Sequence, residues 1–311
     1  MKKFNYINAT TIAEAVSALG EGGAAVLAGG TDILTYLKGY VSPNAPQTLV
    51  NIKNIPGMDD IKEEGGMLKI GALAKLKDVY TSATVQANYA ALAEAAHKVG
   101  TPELRNMGTI GGNICQMVRC WYYRSEHNTF DCLRKNPTGG VCQALLGDNR
   151  YHSIFGAMSG CVAVNPSDIA PALVALGATI VYQSPTETKS KAAEEFFTMN
   201  GEKTTVLGEN EIVTEIQVPE FSGKSAFLKF AIRKSFDFPI VNCAAVVSDS
   251  EARICLNGVY NTPKLFAPVI PLPPPGDIAE DLLADASALP HNGYMIQIAK
   301  TLVKRAVLAC S

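Results

Sequence analysis

The stretch that most constrains this chain runs from Thr109 to Leu173: a TIGGNIC segment, a cysteine-bearing stretch, then SGCVAVNPSDIAPAL. A glycine pair lets the backbone approach a ligand closely and adopt positive φ, so Thr109, Gly111, Gly112 and Asn113 are candidates to aim N–H groups at an anion. Cys115, Cys120, Cys132, Cys142 and Cys161 share this window, leaving only Cys243, Cys255 and Cys310 of the eight cysteines elsewhere. Five of the eight cysteines therefore sit in one short window.

With 311 residues, 47% of them hydrophobic, the chain can bury enough core for two or three domains. The formal charge of -2 is dispersed, which argues against a nucleic-acid partner. The opening MKKFNYINATTIAEAV lacks the apolar core of a secretory signal, and no apolar run is long enough to span a bilayer, so a cytoplasmic location is expected. In that compartment clustered cysteines bind metal or do redox chemistry more often than they form structural disulfides.

Along the chain, Asn5–Ile7 reads as a strand and Thr10 and Thr11 as caps of a helix apolar at Ile12, Val16 and Leu19. The strand 24–28 then runs into Gly29-Gly30-Thr31-Asp32 and a helix start at Ile33. A strand, a glycine turn and a helix entry aim N–H groups and a helix dipole at phosphate, although this turn is neither GxGxxG nor a P-loop and a purely structural turn stays open. Thr48–Ile52 gives another strand. Asp60–Lys62 and Met67–Ile70 form a hairpin, Leu73–Val79 and Tyr89–Val99 read as helices, and Gly100-Thr101-Pro102 stops the second.

AGGTD at 28–32, LVNIKNIPGM at 49–58, LKIGALAKLKDV at 68–79, RNMGTIGGNIC at 105–115 and NPSDIAPALVALGA at 165–178 resemble the FAD-binding subunit of the molybdenum hydroxylases. This is the family of xanthine dehydrogenase flavin domains and carbon monoxide dehydrogenase medium subunits. RKSFDFPIVNCAAV at 233–246 and ARICLNGVYNTP at 252–263 resemble its C-terminal domain, so the likeness covers nearly the whole chain. It implies an α+β chain: a two-subdomain FAD-binding fold of the molybdenum hydroxylase flavoprotein type, residues 1–56 and 57–219, followed by a C-terminal α+β domain, 220–311. By motif position, Ala28, Gly29, Gly30, Thr31 and Asp32 form one pyrophosphate-binding turn and Thr109, Ile110, Gly111, Gly112 and Asn113 the other. Asp168 is expected either to bond a hydroxyl of the cofactor or to cap the helix that follows it. Arg233, Lys234 and Asp237 are expected near the flavin or, equally, in a surface salt-bridge cluster.

Between the GGN and SD motifs lies an insert, about residues 116–161, like that of the 4-hydroxybenzoyl-CoA reductase flavin subunit. That likeness implies a 4Fe–4S cluster on Cys120, Cys132, Cys142 and Cys161, whose intervening lengths of 11, 9 and 18 residues contain no CxxC zinc knuckle. Cys115 then reads as a small buried residue. A zinc site using His127 or His152 remains open, as do disulfides, and Trp121, Tyr122, Tyr123, Phe130 and Phe155 either shield a cluster or simply pack.

The C-terminal part reads as an antiparallel sheet over Ala226–Ile232, Val241–Ser248 and Ala252–Gly258, with a helix at Met295–Ala309 and an exposed proline-rich connector, APVIPLPPPG, at 267–276. No Ser-His-Asp set, carboxylate pair or HExxH is evident, so no catalytic residue is assigned. The resemblance implies an oxidoreductase subunit in which FAD relays electrons between an external nicotinamide or ferredoxin-like partner and subunits carrying 2Fe–2S centres and the molybdenum cofactor, in a dimer of heterotrimers. The alternatives are a xanthine- or nicotinate-dehydrogenase-like flavin subunit without a cluster, and a zinc-stabilised interaction module without FAD.

Overall fold

The structure is a computed structural model that describes every residue except Lys234 and Val269. Its first unit is a three-stranded parallel sheet of β1 (Asn5–Asn8), β2 (Ala24–Leu27) and β3 (Thr48–Asn51), ordered β1-β3-β2. Asn5 and Ala24 both lie opposite Thr48. Between β1 and β2, α1 (Ile12–Gly20) starts at Thr11, whose hydroxyl accepts the Glu14 N–H at 3.1 Å, while the Glu14 carboxylate accepts the Thr10 N–H at 2.7 Å. These reciprocal caps satisfy donors that the first helical turn leaves over. Between β2 and β3 lies α2 (Ile33–Lys38).

β4 (Ile61–Glu64) and β5 (Met67–Gly71) form the expected hairpin, turned by Gly65 and Gly66 at φ +63° and +73°. Two consecutive positive φ values define the tight turn whose twist matches paired strands, and glycine adopts them without strain. Five helices follow: α3 (Leu76–Thr81), α4 (Ala83–Asn88), α5 (Ala90–His97), α6 (Pro102–Met107) and α7 (Ile110–Ile114). The insert adds little regular structure beyond α8 (Gln143–Leu146). Then come α9 (Ile169–Ala175), buried throughout, β6 (Thr179–Gln183), β7 (Thr188–Ala192), α10 (Ala193–Phe196), β8 (Phe197–Asn200), β9 (Lys203–Thr205) and β10 (Ile212–Pro219). A five-stranded antiparallel sheet runs β4-β5-β10-β6-β7.

The last unit is a four-stranded antiparallel sheet of β11 (Lys224–Phe230), β12 (Val241–Val247), β13 (Ala252–Asn257) and β14 (Lys264–Phe266), followed by α11 (Pro275–Leu282) and α12 (Tyr294–Ala309). Cys243, Ala245, Ile254 and Leu256 share a core with Met295, Ala299 and Val303 of α12, whereas Ala244, Val246 and Cys255 join the core that holds α5 and α9. Side chains alternate along a strand, so covering both faces buries β12 over almost its whole length. Burial pushes the Cys243, Cys255 and Cys310 thiols upward, the last to about 11, as expected of small apolar packing residues.

Several sequence expectations change. The second glycine segment is not an open turn but the first turn of α7, with Thr109 as its cap. Thr101-Pro102 starts α6 instead of only stopping α5, because a proline in the first helical turn has no N–H to lose. The proline-rich connector ends in α11 at Pro275.

Gly71 closes β5 where a Cβ would stand 2.2 Å from the Met58 carbonyl oxygen. A Gly71→Ala variant is expected to lose about 1–3 kcal/mol in urea unfolding through backbone displacement; unchanged stability would contradict the packing described.

Candidate functional site

Residues 28–32 leave β2 and enter α2, with Gly30 at φ +73°. A Cβ on Gly29 would lie 2.2 Å from the Met107 carbonyl oxygen, and one on Gly108 would lie 3.6 Å from the Thr31 hydroxyl. The two glycine segments therefore touch, and only glycine permits the approach at position 29. Among the described residues, the N–H groups of Gly29, Gly30, Thr31 and Asp32 find no acceptor within the chain. This turn is an open row of donors at a helix entry.

The second segment differs. Ile110 N–H donates to the Ala74 carbonyl and Gly111 N–H to that of Ala72, both at 2.9 Å, while Gly112 and Asn113 N–H bond the Thr109 hydroxyl and carbonyl. A Cβ at Gly111 would stand 2.8 Å from the Ala72 carbonyl oxygen, so this glycine serves the close packing of α7. The expectation that residues 110–113 present free backbone donors is thereby corrected. What the segment still offers is the proton of the Thr109 hydroxyl and the Asn113 amide, whose oxygen accepts the Ser167 hydroxyl at 2.5 Å.

Asp32 does not cap α2 with its side chain. Its carboxylate accepts the Met117 N–H at 2.9 Å and pairs with Arg119 and Arg124 at 2.8 and 2.6 Å, which fastens the start of the insert to the first turn. Burial, followed by the like charge of Arg124, lowers Arg119 to about 10, against the pull of Asp32. The Arg119 guanidinium also stacks on Phe238 at 4.4 Å, so one side chain joins the turn, the insert and the C-terminal loop.

Asp168 occupies the cap position of α9, but its side chain does not make the capping bond. The Ser167 hydroxyl accepts the Ala170 N–H at 2.9 Å, while Asp168, buried, accepts from Lys229 Nζ at 2.6 Å and Asn242 Nδ2 at 2.8 Å. Burial pushes its carboxyl up, opposed by the Lys229 charge. Asn242 and Asn257, fully buried, each keep a side-chain oxygen without a donor, which leaves this polar core short of partners that a ligand hydroxyl or water can supply. Arg233 and Asp237 form an exposed pair, Nε to Oδ1 at 3.0 Å; Lys234 lies outside the described residues. Two surface cavities of about 500 and 630 Å³, one beside Tyr89 and Phe221, the other beside α1, lie away from all these residues.

Cys132 and Cys161 share one buried cluster, with Cys120 packed against it. The neighbouring Cys161 thiol pulls Cys142 down to about 6, while burial raises Cys120 and Cys132. Cys132 and Cys161 are buried against Leu27, Leu37 and Leu49 of the first unit, beside Tyr123. Cys115 senses only burial, which raises it to about 12. His152 Nε2 lies 3.2 Å from the Cys120 sulfur, whereas His127 stacks on Tyr40. Among the described residues no three His, Cys, Asp or Glu side chains are grouped to hold a metal ion.

An α+β chain with an open amide turn at a helix entry offers donors that suit a phosphate-bearing cofactor. The family described as FAD binding domain in molybdopterin dehydrogenase matches residues 2–221, and the chain belongs to it. It is 33% identical over 271 residues to the Escherichia coli aldehyde oxidoreductase FAD-binding subunit PaoB, covering 85% of this chain and 83% of that one. To the carbon monoxide dehydrogenase medium chain of Hydrogenophaga pseudoflava it is 30% identical, covering 84% and 76%. A solved carbon monoxide dehydrogenase from that organism, lacking the Mo-pyranopterin moiety of the molybdenum cofactor, superposes with a TM-score of 0.76 at 26% identity, covering 99% and 97%. The chain is thus an oxidoreductase subunit with the flavoprotein fold that the resemblance implied, and FAD is its cofactor.

Sequence reasoning missed Arg119, Arg124, Ser167, Lys229 and Asn242. The two arginines flank Cys120 in VRCWYYR, a visible charge signal inside an otherwise aromatic run. Because removing one member strands a buried charge, Lys229→Met is expected to cost about 3–5 kcal/mol, and adding Asp168→Asn to recover part of it. Urea unfolding of the single and double variants checks this; additive losses would contradict the pairing.

Proposed function

We propose that this chain is the electron-transfer subunit of a multi-subunit molybdenum hydroxylase or reductase, carrying FAD and, in its insert, a 4Fe–4S cluster on Cys120, Cys132, Cys142 and Cys161. The observation that carries the cluster is that Cys120, Cys132 and Cys161 share one apolar cluster with Leu27 and Leu34 beside the first glycine turn, Cys142 being the neighbour of Cys161. A cluster spreads its ligands over four irons, so it does not require the tight grouping that a single ion does. His152, kept neutral by burial with its pKa lowered to about 4, is positioned to donate to the Cys120 sulfur, and such bonds help set a cluster's potential. Bound FAD would supply two-electron exchange with a nicotinamide, or one-electron exchange with a ferredoxin-like partner, and one-electron delivery to iron–sulfur centres.

In this reading the first-turn amides take the diphosphate, and the Asp168–Asn242–Asn257 core faces hydroxyls of the cofactor. Arg233 and Asp237 border the flavin from the C-terminal loop. Three parts, 1–56, 57–219 and 220–311, divide the labour between cofactor grip, cluster and cover. The names of its relatives, medium chains and FAD subunits, support an assembly with other subunits. In this reading they are a large subunit with the molybdenum cofactor and a small one with 2Fe–2S centres, paired as a dimer of heterotrimers in the cytoplasm. Among the described residues no helix is long and apolar enough to cross a membrane.

Purified protein is expected to show flavin absorbance, FAD by mass analysis, and about four irons and four sulfides per chain. Cys132→Ser is expected to lose the iron and keep the flavin. Flavin without iron would favour a subunit of the xanthine or nicotinate dehydrogenase kind, and zinc without flavin would overturn the whole proposal.

A further inference from the structure

We propose that Arg119 and Arg124, both from the insert, form a guanidinium pair that binds the diphosphate of FAD beside the first glycine turn. The proposal rests on the flavin reading and adds to the turn two residues that a chain without this insert lacks. It starts from a charge count: one carboxylate, Asp32, faces two guanidinium groups at 2.8 and 2.6 Å, which leaves one positive charge in excess at the end of the turn. No second carboxylate pairs with either arginine among the described residues.

The hydrogen bonds point the same way. Arg119 also bonds the Gln116 side-chain oxygen at 3.1 Å, and Arg124 bonds the Val118 carbonyl through Nε at 2.9 Å. Arg119 Nε and Arg124 Nη1 are nevertheless buried without any partner. A guanidinium has five N–H donors in a rigid fork, and a buried donor left without an acceptor is costly, so the pair is short of an anion. Four backbone N–H groups of the same turn, from Gly29 to Asp32, are short of one too. A diphosphate supplies the acceptors and the charge for both sets, and its planar faces of paired oxygens suit the guanidinium fork. Asp32 then orients the arginines and keeps the empty turn from carrying two uncompensated charges. Stacking on Phe238 holds Arg119 in place without consuming its donors.

The test uses the full chain stripped of flavin and titrated with FAD, with riboflavin as a probe that has no phosphate, and with inorganic pyrophosphate as competitor. Arg119→Gln and Arg124→Gln are each expected to weaken FAD about ten- to a hundredfold, to leave riboflavin unchanged and to blunt competition by pyrophosphate. Arg119→Lys, which keeps the charge and loses the fork, is expected to fall in between. Asp32→Asn separates this role from simple anchoring of the insert: freeing both cations is expected to hold or raise FAD affinity, with the opposite sign to the arginine variants. Circular dichroism and the unfolding midpoint of each variant confirm folding. FAD bound by both Gln variants as tightly as by the unaltered protein would overturn the proposal, as would Asp32→Asn weakening FAD in step with them. An unaltered chain that takes up no FAD would overturn the flavin reading itself.

Discussion

Much of the structure hangs on the carboxylate of Asp32. It sits where β2 has just ended and α2 is about to begin, and it takes one amide and two guanidinium groups from the insert. Because the carboxylate is mostly shielded from solvent, these bonds are less screened than those of a surface pair. The consequence is geometric. The segment that delivers Cys120 is tied to the segment that offers free amides, so any movement of one displaces the other. A second tether lies deeper, where Glu202 accepts from Tyr36 at 3.1 Å and Tyr123 at 2.8 Å and so joins α2 to the insert and the β8–β9 hairpin.

The two glycine segments have become unequal partners. Gly29 lies against the backbone of Met107 and Gly108, and Gly111 against Ala72, so both segments need glycine for close approach. The amides of residues 110–113 are used up in forming α7 and in docking it on residues 72–76, whereas those of 29–32 remain available. One segment is thus a structural wedge and the other a donor row. The polar core of Ser167, Asp168, Lys229, Asn242 and Asn257 continues from the wedge into the last sheet, and gives the C-terminal part a fixed seat on the nucleotide-binding part.

What the sequence disclosed depended on how local the cause was. α1, the β4–β5 hairpin and α12 follow from caps, positive-φ glycines and apolar periodicity within a few residues, and all were legible. α7 was not, since glycine's poor helix propensity outweighed the Thr109 cap; burial of Ile110 and Ile114 decides the matter in the fold. β7 reads TKSKA, with no apolar alternation, and is a strand only because it pairs along the edge of a sheet, where lysines are at home. The Asp32 clamp spans 92 residues of sequence to Arg124 and has no local signature at all. Composition told that the cysteines were special; only the fold tells that Arg119 and Arg124 travel with them.

In the proposed reading the dinucleotide is gripped by the amides of residues 29–32, those of 110–113 being already bonded within the chain. Amide hydrogen exchange on the full chain, without and with FAD, tests it residue by residue. The amides of Gly29 to Asp32 are expected to exchange fast in the flavin-free protein and to become protected when FAD binds, with Ile110 to Asn113 protected in both states. Protection by FAD that appears at 110–113 and leaves 29–32 exchanging freely would contradict the account.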